Sequence, residues 1–293
     1  MERDSGGRGD TLIMNDSLKL HVEQITNLPS LPAIAQEIIT LTDNDLISVN
    51  KLERIIGNDP AISAKILSVS NSVFYGFTMP VKTLNNAIMR IGFSSVRNIA
   101  LGISIMTVLN DEKHQGTPDY ARIFNHSVAV GVIARLLSRR FKLNITDEVV
   151  LSGILHDIGL LIISRCFPDG YLDVLKAFEK GKGLLDAEKD IFNFNHTDIG
   201  YWLAEKWNLP GTISDTILFH HNPSCAKENV VHVATVHIAD FIADRNVIRP
   251  TSRDFISPFD PSSLALLGMS EDNLNDVIHE VKSGAFFNGF FKA

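Results

Sequence analysis

Seven side chains between positions 126 and 240 have the types needed to hold metal ions: His126, His156, Asp157, His196, His220, His221 and Asp240. A neutral imidazole nitrogen is a good donor to first-row transition metals, and a carboxylate adds charge and can bridge two ions. The placement of the histidines is uneven, since nine of the ten lie at or after position 114. Each of the seven candidates sits in or beside a helical, largely apolar segment. In Leu155-His156-Asp157-Ile158 two polar groups interrupt an apolar run. Buried without partners, a neutral polar group costs on the order of 2–7 kcal/mol. A metal would resolve that cost, and so would ordinary hydrogen bonds.

Taken singly, each histidine is better read as a hydrogen-bonded core or surface residue. His-Asp dipeptides are common by chance, so the odds for His156-Asp157 alone are even. His220-His221, before Asn222-Pro223, also suits a helix C-terminus, where donors and cations are favoured. His232 and His237 read as non-ligands, although His237 lies one turn before Asp240 and could reach the same site. His21, His114 and His279 read as surface residues. The joint pattern is much harder to assign to chance than any member of it.

These side chains must be carried by helices. Apolar periodicity is helical nearly throughout, with few alternating strand patterns. Pro32 suits the first turn of a helix with Ile34, Ile38, Ile39 and Leu41 as its stripe. Ser48 reads as the cap of a helix ending near Gly57, and Asp59-Pro60 opens another. Thr83 caps a helix closed by Gly92, and Ser94 or Ser95 opens the next, to about Leu109. Polar residues 110–118, with Gly116 and Pro118, read as a boundary. Apolar-periodic stretches follow at 120–141, 147–164, 186–207, 212–221 and 230–243. Residues 249–261, with three prolines, read as an extended crossing, and Ser270 caps a last helix through about Val281. Phe286, Phe287, Phe290 and Phe291 in the tail suit core packing or a dimer contact.

The length, the 45% hydrophobic and 21% charged content are those of a globular protein, and the net charge of −7 gives no global support for nucleic-acid binding. Arg135, Arg139 and Arg140 are the best local basic patch, but read more simply as a solvated helix face. Cys166 and Cys225 form no CxxC pair, which fits a reducing compartment. No apolar run approaches bilayer-spanning length and no signal peptide is visible, so a cytoplasmic protein is expected. Residues 1–17 read as a disordered extension, and Met14 offers an alternative start.

With these residues in view, the chain resembles the HDOD family from about Leu28 to Ala243. The matching words are Leu28-Pro29-Ser30-Leu31-Pro32, Asp59-Pro60-Ala61, Asn71-Ser72-Val73-Phe74-Tyr75-Gly76, and Ala87-Ile88 with Ile91-Gly92. Further on they are His126-Ser127, Gly153 through Gly159, Leu203 through Pro210, and His220-His221. The resemblance implies an all-α protein: an N-terminal helical lobe, here 18–110, packed on a helical bundle of HD-superfamily type, here 118–293. Enzymes of that superfamily are metal-dependent phosphohydrolases and phosphodiesterases. HDOD proteins are associated with bacterial signalling, and many have lost the metal ligands. This sequence is similar to the ligand-bearing members at His126, His156, Asp157 and Asp240. His196, His220 and His221 resemble the further histidines that hold a second metal in HD-GYP phosphodiesterases. It departs from those enzymes at Leu160, where they have lysine, and at Asn222-Pro223-Ser224, where they have Gly-Tyr-Pro. Arg122, one turn before His126, offers no acidic ligand for a third ion.

The resemblance implies a dinuclear centre bridged by Asp157. His126, His156 and Asp240 would hold one ion, and His196, His220 and His221 the other. Iron or manganese suits this mixed shell, with zinc as the alternative. Two function classes follow: a signalling or regulatory module with a retained metal site, or an active phosphohydrolase or phosphodiesterase acting on a nucleotide or cyclic dinucleotide, with Asp157 as its catalytic bridge. Expected partners are a signalling protein and a nucleotide or phosphate ligand, with a dimer open and neither membrane nor nucleic acid.

Overall fold

The computed structural model describes residues 30–41, 46–71, 79–109, 120–246 and 259–283, and no strand occurs among them. The first group of helices is α1 (Ala33–Ile39), α2 (Leu46–Gly57), α3 (Pro60–Ser70), α4 (Leu84–Ile91) and α5 (Phe93–Leu109). The second is α6 (Tyr120–Arg140), α7 (Glu148–Leu155), α8 (Ile158–Cys166), α9 (Pro168–Glu179), α10 (Leu184–Phe192), α11 (His196–Lys206), α12 (Gly211–Phe219) and α13 (Val230–Arg245). A 3₁₀ turn at Pro223–Cys225 links α12 to α13, and α14 (Ser262–Leu266) and α15 (Glu271–Ser283) follow.

Local chemistry sets several boundaries as expected. Asp59 Oδ1 accepts from the N–H groups of Ala61 and Ile62, with Pro60 in the first turn of α3. Thr83 Oγ1 accepts from Asn86 N–H, and Gly92, at φ +89°, closes α4. Ser270 and Asn273 exchange side-chain and backbone hydrogen bonds at the start of α15. Two serines differ from expectation. Ser48 lies inside α2 and is buried, where a small side chain fits the packed face. α5 opens at Phe93, before either serine, and Ser95 turns its hydroxyl to Asp147 Oδ2 at 3.4 Å rather than to its own helix end. The expected boundary at 110–118, the aromatic tail and most of the 249–261 crossing lie outside the described residues.

Two longer expectations are corrected. Arg139 and Arg140 are exposed, but Arg135 is not on a solvated face: it is 1% exposed, and its Nη2 donates to the Ile91 carbonyl at 2.7 Å. Nor is it true that no apolar stretch reaches bilayer-spanning length, because Glu148–Cys166 spans 19 residues with a mean hydropathy of 1.7. In the fold that stretch is 89% buried, and it is two helices, α7 and α8, broken at His156-Asp157. Its uniform apolarity reflects burial on all sides.

α7 is the centre of the molecule, touching α5, α6, α12 and α13. Every residue from Val149 to Leu155 is buried. Glycine allows the closest of these approaches. A Cβ on Gly153 would lie 2.6 Å from the Gly131 Cα, so α6 and α7 meet backbone to backbone. α5, against which α1, α3 and α4 pack, also packs on α7. The first group of helices therefore rests on the helix that ends at His156.

Candidate metal centre

His156 and His220 are placed by the same device. Each is the residue at the C-terminal end of an apolar helix, α7 and α12, where carbonyls lack intrahelical partners. The ring turns back, and Nδ1 meets the carbonyl three residues earlier: Gly153 at 2.7 Å and Ile217 at 2.9 Å. A carbonyl can only accept, so Nδ1 carries a proton and Nε2 is the nitrogen left to face the site. The helix-end alternative for His220-His221 and the ligand reading are thus compatible, since one nitrogen serves each.

His196 is placed by a capping box. Asn195 accepts from Asp198 N–H, and the Asp198 side chain accepts from Asn195 N–H. This sets His196 at the first position of α11, where its own N–H has no helical partner. Glu188 on α10 takes both that N–H, at 2.9 Å, and the ring Nδ1, at 2.8 Å. His126 and Asp240 come from the middles of α6 and α13, which pack side by side. The two helices bring His126 Nε2 within 3.1 Å of Asp240 Oδ1.

Asp157 lies where these groups converge. Its Oδ2 is 3.3 Å from His156 Nε2 and 3.7 Å from His126 Nε2. Its Oδ1 is 3.4 Å from both His196 Nε2 and His220 Nε2. His221 joins the second pair, with its Nε2 3.1 Å from that of His196. All seven predicted residues therefore meet in one place, six of them buried and His221 at the edge. Three sets of donor atoms among the described residues are close enough to share an ion: His126, His156 and Asp157; Asp157, His196, His220 and His221; and His126, Asp240 and Asp244.

The electrostatics fit a cation. Burial works against ionising Asp157 and Asp240, yet the surrounding imidazoles hold both carboxyls well below the usual range. Burial also lowers His220, and lowers His221 further with help from its imidazole neighbours. Asp157 Oδ1, His220 Nε2 and His221 Nδ1 are buried with no well-directed hydrogen bond among the described residues. Without an ion, protons on His126 and His196 offset these buried carboxylates, and a divalent cation could take their place. The donor set suits divalent first-row metals.

Two further residues, Glu188 and Asp244, belong to the site and were not found from the sequence. Glu188 is fully buried, and it occupies the same apolar face of α10 as Leu184 and Ala187. A carboxylate at such a position was the available signal. Asp244, one turn beyond Asp240, lies within ligand range of His126 and Asp240. His237 does approach the site, but from behind: its Nδ1 donates to the His220 carbonyl and its Nε2 accepts Asp260 N–H. Both nitrogens are in use, so it positions a ligand and is not one. His232, whose Nε2 lies 3.5 Å from Thr146 Oγ1, belongs to none of the three candidate ligand groups, and His279 is exposed.

An all-helical fold with this convergence of histidine and aspartate is that of an HD-type helical protein. The HDOD domain family matches residues 28–223, and the chain belongs to it. An uncharacterized protein of Treponema pallidum (strain Nichols) is 24% identical over 233 residues, which cover 74% of this chain and 42% of that protein. The match thus spans less than half the length of that relative. Among solved structures, an HDOD domain protein of unknown function from Geobacter sulfurreducens superposes with a TM-score of 0.75 at 22% identity, over 93% of this chain and 94% of the other. A protein of Shewanella amazonensis SB2B, provisionally named a phosphohydrolase, gives 0.69 at 23% identity, over 94% and 95%.

Proposed function

We propose that this HDOD protein holds two divalent transition-metal ions, bridged by Asp157, and that it serves as a regulatory module in signalling built around that centre. The observation that carries the reading is the disposition of Asp157, with one oxygen toward His126 and His156 and the other toward His196 and His220. Iron or manganese fits the mixed nitrogen and oxygen donors best, with zinc the alternative. His126, His156 and Asp240 would hold one ion, and His196, His220 and His221 the other.

One feature favours a second reading, a metal-dependent phosphohydrolase or phosphodiesterase. Asp157 could serve two ions at once, and such ions would supply activation of water and of a phosphate oxygen. The chain's own groups would exclude bulk water and fix the ring orientations. Leu160, buried in α8, supplies no cation for a phosphate, which weighs toward the regulatory reading.

Metal analysis of protein purified without a metal-affinity step tests the centre. About two ions per chain are expected, falling in His156→Ala. Less than about one ion, with content unchanged by that substitution, overturns the reading. A generic phosphodiester and a nucleotide panel with added Mn²⁺ or Fe²⁺ then separate the two functions. Turnover abolished in Asp157→Asn supports the enzyme, and no turnover by the fully loaded protein supports the regulatory module.

A further inference from the structure

The two half-sites are unequal in charge. The first has Asp240 to itself and a share of Asp157. The second has three imidazoles and only its share of Asp157. Behind the second half-site stands Glu188, 0% exposed, with Oε2 2.8 Å from His196 Nδ1. Its other oxygen, Oε1, is buried and has no hydrogen-bond partner among the described residues. A carboxylate so buried is costly to keep unless a cation lies within its reach.

We infer that Glu188 is the positioning residue of the second half-site: it fixes the His196 ring with Nε2 toward the ion and supplies, through that ring, the negative charge this half-site otherwise lacks. The inference rests on the dinuclear reading above. Its physical basis is general, since a carboxylate on the far nitrogen of a ligating histidine sets the tautomer, holds the ring plane and makes the near nitrogen a stronger donor. The path is short. Glu188 is on the buried face of α10, the chain reverses at Asn193, with φ +63°, and the Asn195 capping box delivers His196 eight residues later. A purely structural role is the competing explanation, because the same oxygen also accepts the His196 N–H at the start of α11.

The two roles separate by which ion is lost. Wild type, Glu188→Gln, Glu188→Ala and His196→Ala are stripped with chelator and titrated with Mn²⁺. Bound ions are counted by elemental analysis, and spin coupling between them is read by electron paramagnetic resonance. Wild type is expected to bind two coupled ions. Glu188→Gln keeps an acceptor for Nδ1 but not the charge, and is expected to bind the second ion about tenfold or more weakly with the first unchanged. Glu188→Ala and His196→Ala are expected to retain one ion with an uncoupled spectrum. Equal loss of both ions in Glu188→Gln would mean a structural role and overturn the inference. So would two ions of wild-type affinity in both Glu188 variants. If wild type itself binds fewer than two ions, the dinuclear reading falls first and this inference with it.

Discussion

At the scale of single residues, the site is a set of proton positions as much as a set of distances. Without metal, burial works against a charged His126, and Asp240, Asp244 and Asp157 outweigh it, raising the ring to about 9. Burial likewise opposes a charged His196, and Glu188 and Asp157 raise it to about 9. Both folded values lie above the ordinary 6.5, so the two rings contribute stability that is fully present below pH 6.5 and lost as pH rises through about 9. An ion must displace those protons, so binding strengthens over the same window. The melting temperature of chelator-treated protein is therefore expected to fall between pH 6.5 and 9, and its gap from metal-loaded protein to widen. A gap that stays constant over that range would contradict this electrostatic account. The seven ligand candidates were legible because histidine and aspartate in apolar segments are conspicuous. Glu188 was not, because it sits among surface-like residues such as Asp186, Lys189 and Asp190, and only the helical phase of α10 shows that it faces inward.

At the scale of elements, the metal centre depends on how closely helix ends approach. A Cβ on Gly159, at the start of α8, would lie 1.8 Å from the His196 carbonyl oxygen, and one on Gly200 would lie 3.3 Å from the Gly159 nitrogen. α8 and α11 thus meet where one carries Asp157 at its head and the other His196. Gly159→Ala must drive these two ends apart, and is expected to cost about 3 kcal/mol or more and to weaken metal binding. Gly57→Ala, where a Cβ meets nothing within 4 Å, is the control and should change stability by less than about 1 kcal/mol. Denaturant midpoints and bound-metal counts for the two variants check this, and equal behaviour would refute it. Most helices were legible from apolar period and from caps such as Asp59-Pro60 and Thr83 with Gly92. The breaks inside 147–164 and 186–207 were not. The first occurs within continuous burial, where hydrophobicity carries no phase. The second depends on Asn193 and Asn195, whose left-handed turn and capping box are written in only two residues.

At the scale of the whole molecule, the question is whether the helices before α6 and those that carry the metal ligands fold as one unit. Two kinds of contact join them. One is apolar: a Cβ on Gly102 of α5 would meet Ile154 of α7 at 2.6 Å, so these helices are closely packed. The other is a polar seam around Arg135 of α6. Its guanidinium donates to the Ile91 carbonyl at the end of α4, and Nε lies 4.0 Å from Asp147 Oδ1. Asp147, just before α7, accepts from Asn98 through its carbonyl at 2.9 Å and from Ser95 through Oδ2 at 3.4 Å. Arg135 and Asp147 together thus tie the ends or flanks of α4, α5, α6 and α7. The bond to a buried carbonyl is charge-assisted, worth about 1.5–3 kcal/mol, whereas the pairing with the part-exposed Asp147 carboxylate adds little. Arg135→Met keeps much of the buried volume and removes the donor. Wild type is expected to unfold in urea in a single transition that shifts upward with bound metal, because α7 both ends in His156 and supports α5. Arg135→Met should lower that midpoint by an amount equivalent to about 2 kcal/mol while leaving one transition and the metal count unchanged. A separate early transition, with the metal-dependent one unmoved, would show instead that the N-terminal helices fold independently and that the metal centre does not depend on them.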